Sequence, residues 1–438
     1  MELEFVSNTG FYLSNQEHVF GMDLWFTQGA FEGSWYHFPP LRKTKYRIED
    51  CDTIYISHIH PDHCDFNSLR YAKKDTVFVV PGYFNHLIKR KLEVFGFYNI
   101  VSLQHGEEAT LPCGAHVRLY KQFVNNMGID AKFGSLIDSA LLIKWDGKVI
   151  LNCNDNYIDL ESAQEIKKEF NTIDLALLPH SASGPYPASF NNLSLDEKYL
   201  EADRLSNFYI NHFLEMTETL QPRLVVPCAA EYVVVGRMWK KNDHIGLAYP
   251  KDAVDRWKAK AETHGCHTEA HHLDCGTILN LDTGKTYGLE PRNPSVKERM
   301  EFANKYKDVN FRYEWEDTCT SVEDLNVLIL AARVNMWEMQ KKLNWFKDYN
   351  VYINIEGLYL YHLNFSVEKI DNKIEERYTP YLEVRLSQQL MYSIITKKVH
   401  WNNAEGGLHL EFYREPNLYV PEVFILMSFF HAEKIQYK

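Results

Sequence analysis

The chain has 438 residues, enough for two domains or for one large domain with an extension. Its hydrophobic share of 45% and aromatic share of 14% suffice for a sizeable core. With 47 Lys and Arg against 59 Asp and Glu, the net charge is −12, which argues against a broad nucleic-acid surface but still allows one local basic pocket.

Several features of the sequence favour a cytoplasmic protein without membrane or nucleic-acid partners. The N-terminal residues 1–4 do not have the basic region and apolar run of a signal peptide. No apolar stretch reaches the length of a membrane-spanning helix. The eight cysteines are scattered without a Cys-x-x-Cys pair, which is typical of reduced thiols.

Residues 1–50 alternate apolar and polar positions and predict meandering strands that end near Asp23. A β-branched apolar run from residue 53 to residue 56 then predicts a buried strand. Four side chains that can bind metal ions follow it: His58, His60, Asp62 and His63. The first two are two positions apart and point the same way on extended backbone, and the other two follow a turn at Pro61. This pattern predicts two neighbouring positions for Zn, Fe or Mn, and the alternative is a polar loop whose histidines only satisfy backbone groups.

Strands and helices alternate through the middle of the chain, which fits a layered α/β fold. The Asp146-Gly147 pair predicts a hairpin from Ser139 to Leu151, and Asp155 follows the end of that hairpin. A further buried strand ends at Pro179. It leads into His180 and a loop of small residues that includes Ser183, where a ligand could approach backbone amides closely.

We place a domain boundary after residue 290. Residues 1–290 would form the catalytic domain, and residues 291–438 an α+β module that caps the active site or mediates formation of a homodimer. Periodicity in this module predicts, among other elements, a helix from Leu382 to Thr396.

The motif His58-x-His60-x-Asp62-His63 resembles the signature of the metallo-β-lactamase fold. That resemblance implies an α/β fold, an αββα sandwich with a mono- or dinuclear metal site at one edge of the sheets. It also implies that Asp155 bridges the two metals and that Asp23 closes the first strands below them. The fold hosts both hydrolases and oxidoreductases, so the reaction must be argued from the site.

The order of segments over roughly residues 50–230 is similar to the catalytic part of the CMP-N-acetylneuraminate hydroxylases and their bacterial relatives. The matching pieces are the His58 motif, Asp138, Asn152 with Asp155, Ser183-Gly184, and Arg223 with Pro227. The resemblance implies a non-heme iron oxygenase, with two irons, that acts on an anionic nucleotide-sugar-like substrate. Those hydroxylases carry a Rieske domain, whose ligand pattern this sequence does not have. Electrons would therefore come from a separate donor protein or from the substrate.

Two positions depart from the wider fold pattern, because neither residues 133–138 nor residues 227–231 contain the histidine found there in many members. We expect His180 or Asp138 to supply the missing ligand; otherwise they would bind substrate or cap backbone. His400 and His431 are more remote candidates. Arg237 and Lys240 belong to a compact basic group that would bind a phosphate or carboxylate of the substrate, or else lie on a solvated helix face.

The sequence features and the resemblance together indicate two candidate functions. The first is a di-iron oxygenase or oxidase in which Asp155 bridges the metals and the protein orients an anionic small molecule. The second is metal-dependent hydrolysis of a phosphodiester, lactone or thioester with Zn, Fe or Mn, in which Asp62 or Asp155 acts as base.

Overall fold

The computed structural model of the protein describes residues 1–83, 86–123, 138–181, 183–315, 321–356, 359–372 and 376–433. The histidine-free segment 133–137 lies outside the described residues. None of the helices within these ranges is long and apolar enough to cross a membrane. The seven cysteines within them are all free thiols.

Most of the strands lie in the first 290 residues. The strands in the described ranges are β1 (Glu2–Ser7), β2 (Gly10–Ser14), β3 (Val19–Met22), β4 (Trp35–His37), β5 (Thr53–Tyr55), β6 (Val77–Pro81), β7 (Ile100–Leu103), β8 (Glu108–Thr110), β9 (His116–Lys121), β10 (Ser139–Trp145), β11 (Lys148–Asn152), β12 (Leu175–Pro179), β13 (Leu224–Cys228), β14 (Tyr232–Val234), β15 (Glu269–Ala270), β16 (Thr277–Asn280), β17 (Thr286–Gly288), β18 (Asn350–Ile355), β19 (Tyr359–Asn364), β20 (Ile370–Asn372), β21 (Tyr381–Leu386) and β22 (Glu411–Glu415).

The helices lie between and outside these strands. In the described ranges they are α1 (Ala30–Gly33), α2 (Phe66–Leu69), α3 (Leu87–Val94), α4 (Leu160–Glu169), α5 (Leu195–Leu220), α6 (Pro250–His264), α7 (Val296–Lys305), α8 (Arg312–Trp315), α9 (Val322–Leu343), α10 (Gln388–Ile395), α11 (Trp401–Gly406) and α12 (Pro421–Met427), with 3₁₀ turns at Ile48–Asp50 and Gly236–Asp243. The longest, α5, begins with a capping box in which Ser194 and Glu197 satisfy each other's backbone amides.

Two mixed sheets face each other in the first 290 residues. The first sheet has the strand order β17-β16-β1-β2-β3-β5-β6-β7, and the second has the order β15-β13-β12-β11-β10-β9-β8. Phe11 and Val79 of the first sheet share one buried core with Leu141 and Val226 of the second. Alternate apolar side chains of each sheet therefore meet in a common interior, as expected for stacked sheets.

Helices cover the outer face of each sheet. On the first sheet, Leu92 of α3 packs in a core with Phe78. On the second, Phe213 of α5 and Trp257 of α6 pack in a core with Leu151. The four layers are helix, sheet, sheet and helix, so the predicted αββα sandwich is confirmed.

Residues after 290 contribute a separate five-stranded sheet with the order β20-β19-β18-β21-β22. The predicted helix from Leu382 to Thr396 is wrong over its first half. Residues Tyr381–Leu386 form β21, which pairs in parallel with β18, and the helix α10 begins only at Gln388. The hydrogen bonds and burial offered by a neighbouring strand override the local periodicity. Because the core of this module also includes Phe31 and Trp35, the boundary at residue 290 stays a prediction.

Candidate metal centre

The candidate metal-binding side chains follow the carboxyl ends of strands that meet at one edge of the sandwich. His58 follows β5 of the first sheet, and Asp155 follows β11 of the second. Asn154 makes this second placement possible with a left-handed backbone at φ 44°, a region that Asn tolerates better than most residues. Its side chain donates to the carbonyl of Ser139 at 2.7 Å and accepts from the amide of Asp155 at 2.7 Å.

His58 and His60 form the first half of the centre. Nε2 of His58 lies 2.9 Å from Nδ1 of His60. Two nitrogens bound to one metal ion at 2.0–2.1 Å are separated by about 3 Å, so this pair has the spacing of two ligands to one ion. The other ring nitrogen of His58 lies 2.9 Å from the hydroxyl of Ser57.

The second half of the centre comprises His63, Asp62 and Asp155. Nε2 of His63 lies 3.1 Å from Oδ2 of Asp155 and 3.3 Å from Oδ2 of Asp62. One ligand atom from each of His58, His63 and Asp155 lies within 4.8 Å of the others. Asp155 is thus within reach of both halves, as a bridging carboxylate requires.

The back of the centre is held by partners that do not face the metal positions. Asp23, with φ 43° and no exposed surface, accepts from the amide of Ser57 at 2.8 Å and its hydroxyl at 2.7 Å. The same carboxylate lies 3.1 Å from Nδ1 of His63, and Thr9 Oγ1 lies 3.0 Å from that nitrogen. Hydrogen bonding at Nδ1 fixes the ring so that Nε2 faces the metal position, the usual arrangement for a ligating histidine.

Two buried oxygens support the fit of a cation. Oδ1 of Asp62 and Oδ1 of Asp155 are buried without a hydrogen-bond partner in the described structure. The other oxygen of Asp62 accepts from Nδ2 of Asn8 at 2.8 Å. An unpaired buried carboxylate oxygen is costly, and a metal ion at this place would satisfy both. Imidazole and carboxylate donors together suit Fe, Zn or Mn.

The charges of the centre are strongly coupled. Burial, followed by the neighbouring His63 and His60, holds the pKa of His58 well below its usual value. Burial would also lower the pKa of His63, but Asp62, Asp155 and Asp23 together hold it well above its usual value. Without a metal, His63 therefore supplies the positive charge that the carboxylates require.

Two residues predicted as replacement ligands occupy other positions. Oδ1 of Asp138 lies 3.6 Å from Nδ1 of His58, on the ring nitrogen that does not face His60. His180 is fully buried, with Nδ1 2.8 Å from the carbonyl of Cys228 and Nε2 3.2 Å from that of Ala248. Both nitrogens of His180 thus face protein carbonyls, and burial lowers its pKa to about 4. In this structure Asp138 lies behind His58, and His180 links the end of β13 to the segment before α6, so a ligand role for either residue stays a prediction.

Two of the predicted substrate-binding residues, Arg237 and Lys240, lie together on the 3₁₀ turn Gly236–Asp243. Arg237 is ion-paired with Glu314 and donates to the hydroxyl of Tyr313 at 2.9 Å. The amine of Lys240 lies 5.8 Å from the centre of the Trp239 ring. The basic group is therefore partly neutralised by the chain itself.

Ser183, the third predicted substrate-binding residue, does not belong to this basic group. Its side chain is exposed, in the loop that follows the buried strand β12. Tyr232 is buried, burial raises its pKa, and its hydroxyl has no hydrogen-bond partner in the described structure. Tyr232 is in turn stacked on Trp35, with ring centres 3.4 Å apart.

Sequence reasoning missed two polar partners of the motif. Asn8 lies in the tight turn between β1 and β2, and Asn402 comes from the module after residue 290, where its Oδ1 lies 2.6 Å from Nε2 of His60. The local sequence around Asn402 contains no signal for this contact, because 342 positions separate the two residues.

Comparison with known proteins gives distant relatives. No protein-family model matches the chain. A protein of Mycolicibacterium smegmatis described as a Rieske 2Fe-2S iron-sulfur protein is 28% identical over 197 residues, which are 44% of this chain and 36% of that protein. The chain thus aligns with only about a third of the length of this relative. The cytidine monophosphate-N-acetylneuraminic acid hydroxylases of Danio rerio and Sus scrofa are 22% and 23% identical. Those alignments cover 95% and 93% of this chain, and 70% and 92% of the hydroxylases.

Solved structures similar to this chain include metal-dependent enzymes of two kinds. The diiron β-hydroxylase CmlA of Streptomyces venezuelae has a TM-score of 0.39 and 16% identity, over 66% of this chain and 54% of that one. An isothiocyanate hydrolase from Delia radicum gut bacteria has a TM-score of 0.43 and 16% identity, over 64% of this chain and 98% of that one. From its own four-layer topology and the His58 motif at the sheet edge, the chain has the metallo-β-lactamase fold.

Proposed function

We propose that the chain is a non-heme iron enzyme with two metal positions, an oxygenase or oxidase that acts on an anionic small molecule. The observation that carries the proposal is the donor set. The imidazoles of His58, His60 and His63 converge with the carboxylates of Asp62 and Asp155. When bound to such a mixed nitrogen and oxygen set with open positions, iron supplies oxygen chemistry.

The chain's own residues divide the remaining work. Asp23 and Ser57 hold the rings of His58 and His63, so that the ligand nitrogens are preorganised before a metal enters. Asn8 fixes Oδ2 of Asp62, the oxygen nearest to His63, while the buried Oδ1 has no hydrogen-bond partner in the described structure. Asp155 keeps 27% of its side chain exposed, so it is also the carboxylate that a substrate can reach.

Positive charge near the centre supports an anionic substrate. His400 is exposed and caps the N-terminus of α11, where its side chain accepts from the amide of Asn402. His60, Lys397 and Lys91 all lower the pKa of His400. Both lysines are exposed, so their amines can attract a phosphate or carboxylate.

The sequence relatives support the oxidative choice. The hydroxylases align with 93–95% of this chain, whereas the Rieske relative aligns with 44%. By analogy, a separate iron-sulfur protein, or the substrate itself, would supply the electrons. We include either source of electrons in the proposed function.

Metal-dependent hydrolysis of a phosphodiester, lactone or thioester is the second candidate. Asp62 and Asp155 each have one buried carboxylate oxygen without a hydrogen-bond partner in the described structure. Either can accept a proton from a water molecule that attacks the substrate.

The deciding experiment is metal analysis of protein purified from iron-supplemented cells, combined with measurement of dioxygen uptake on addition of a reductant. We expect about two irons per chain and dioxygen uptake that is lost in His58→Ala. Zinc at both positions after such growth, with no dioxygen uptake, would reject the oxygenase in favour of the hydrolase.

A further inference from the structure

The module after residue 290 touches the metal motif directly through α11. The side-chain oxygen of Asn402 in this helix lies 2.6 Å from Nε2 of His60. An amide oxygen can only accept, so the imidazole must donate, and Nε2 of His60 carries its proton.

This hydrogen bond selects the form of the His60 ring that can bind a metal. With the proton on Nε2, the lone pair of the neutral ring is on Nδ1. Nδ1 is the atom that lies 2.9 Å from Nε2 of His58. Asn402 therefore presents the second ligand nitrogen to the first metal position.

The structure holds Asn402 firmly in place. Trp401 and Ala404 on one face of α11 are buried in the core of the module. Asn402 and Gly406, four positions apart, share the opposite face. The carbonyl of Gly406 accepts from Nε1 of Trp35 at 3.2 Å.

A second contact shows how closely this face of the helix approaches the catalytic part. A side chain at Gly406 would come within 3.2 Å of the Phe31 ring. That ring is centred 5.7 Å from the ring of His60. The backbone of Phe31 is itself tied to the module, because Nε2 of His409 lies 2.8 Å from its carbonyl oxygen.

We propose that Asn402 is a positioning residue for the metal ligand His60, so that docking of the module after residue 290 completes the metal centre. The inference rests on the proposed role of His60 as a ligand, but not on the choice between oxidation and hydrolysis. It gives the module a chemical role in setting metal affinity.

The test uses the full chain with Co²⁺ as the probe, because its visible spectrum reports ligand geometry. In Asn402→Leu the acceptor is lost, and we expect affinity for Co²⁺, measured by competition with a chelator, to fall about 10- to 100-fold with a changed spectrum. Asn402→Asp keeps an acceptor oxygen and should restore both affinity and spectrum. Asn403→Ala is the matched control on the next position of the same helix, and it should behave as wild type.

Thermal unfolding of the metal-free variants separates misfolding from loss of positioning. If Asn402→Leu unfolds early, Asn402→Ala is the second variant, and the rescue by Asn402→Asp still decides. Unchanged Co²⁺ affinity and spectrum in a folded Asn402→Leu, or failure of Asn402→Asp to restore them, would overturn the inference. His60→Ala tests separately whether His60 is a ligand. If this variant also keeps full Co²⁺ binding, the proposed ligand role of His60 fails together with the positioning role of Asn402.

Discussion

From the carboxyl group of Glu405 in α11 we predict that folding stability falls as the pH rises. Its carboxyl is only partly exposed, and in the described part of the chain no donor or cation is paired with it. Burial raises its pKa from the ordinary 4.5 to about 8. The folded protein therefore keeps this proton over a pH range in which the unfolded chain has released it.

The direction and the size of this change in folding stability follow from proton linkage. Because the unfolded state binds fewer protons, folding stability from this group falls as pH rises above 4.5, and the loss is complete above pH 8. At about 1.4 kcal/mol for each pKa unit, the full loss is at most about 5 kcal/mol, because the side chain keeps some contact with solvent. In Glu405→Gln the ionisable group is absent, so this part of the loss disappears.

The assay is urea unfolding of the metal-free protein at several pH values between 5 and 9. We expect Glu405→Gln to match wild type near pH 5 and to become progressively more stable up to about pH 8. Glu161→Gln, which alters an exposed carboxyl on α4, is the control and should follow wild type. A constant stability difference between Glu405→Gln and wild type across this range would refute the reasoning.

Three further predictions concern the metal centre. Asp155→Ala should lose bound metal while far-ultraviolet circular dichroism stays unchanged, because the sheets and not the centre supply the core; full metal content in this variant would move the centre elsewhere. Metal added at 100 times its dissociation constant should stabilise wild type by about 2.7 kcal/mol but not Asp155→Ala, as measured by denaturant unfolding, and equal stabilisation of both would contradict the assigned ligand. His180→Ala should keep its metal and lose about 1–3 kcal/mol of stability, because the ring faces two buried carbonyls. Loss of one metal equivalent would instead restore the role expected from sequence.

Local sequence determined the parts of this protein that depend on neighbouring residues. The strand β5, the turn after it and the four donors that follow all lie within eleven positions, residues 53–63, so strand periodicity and ligand spacing suffice to predict them. Asp155 was predictable because a hairpin turn fixes where β11 ends. The helix α5 carries its own start signal, the capping box formed by Ser194 and Glu197.

Tertiary structure decided what depends on residues distant in sequence. Leu382–Leu386 became a strand because β18 offered hydrogen bonds that a local helix pattern does not predict. Arg237 is paired because folding brings Glu314 to it. The contact of Asn402 with His60 has the same cause, since hydrogen bonds are directional and short, and only the docking of two parts of the chain sets which side chains meet.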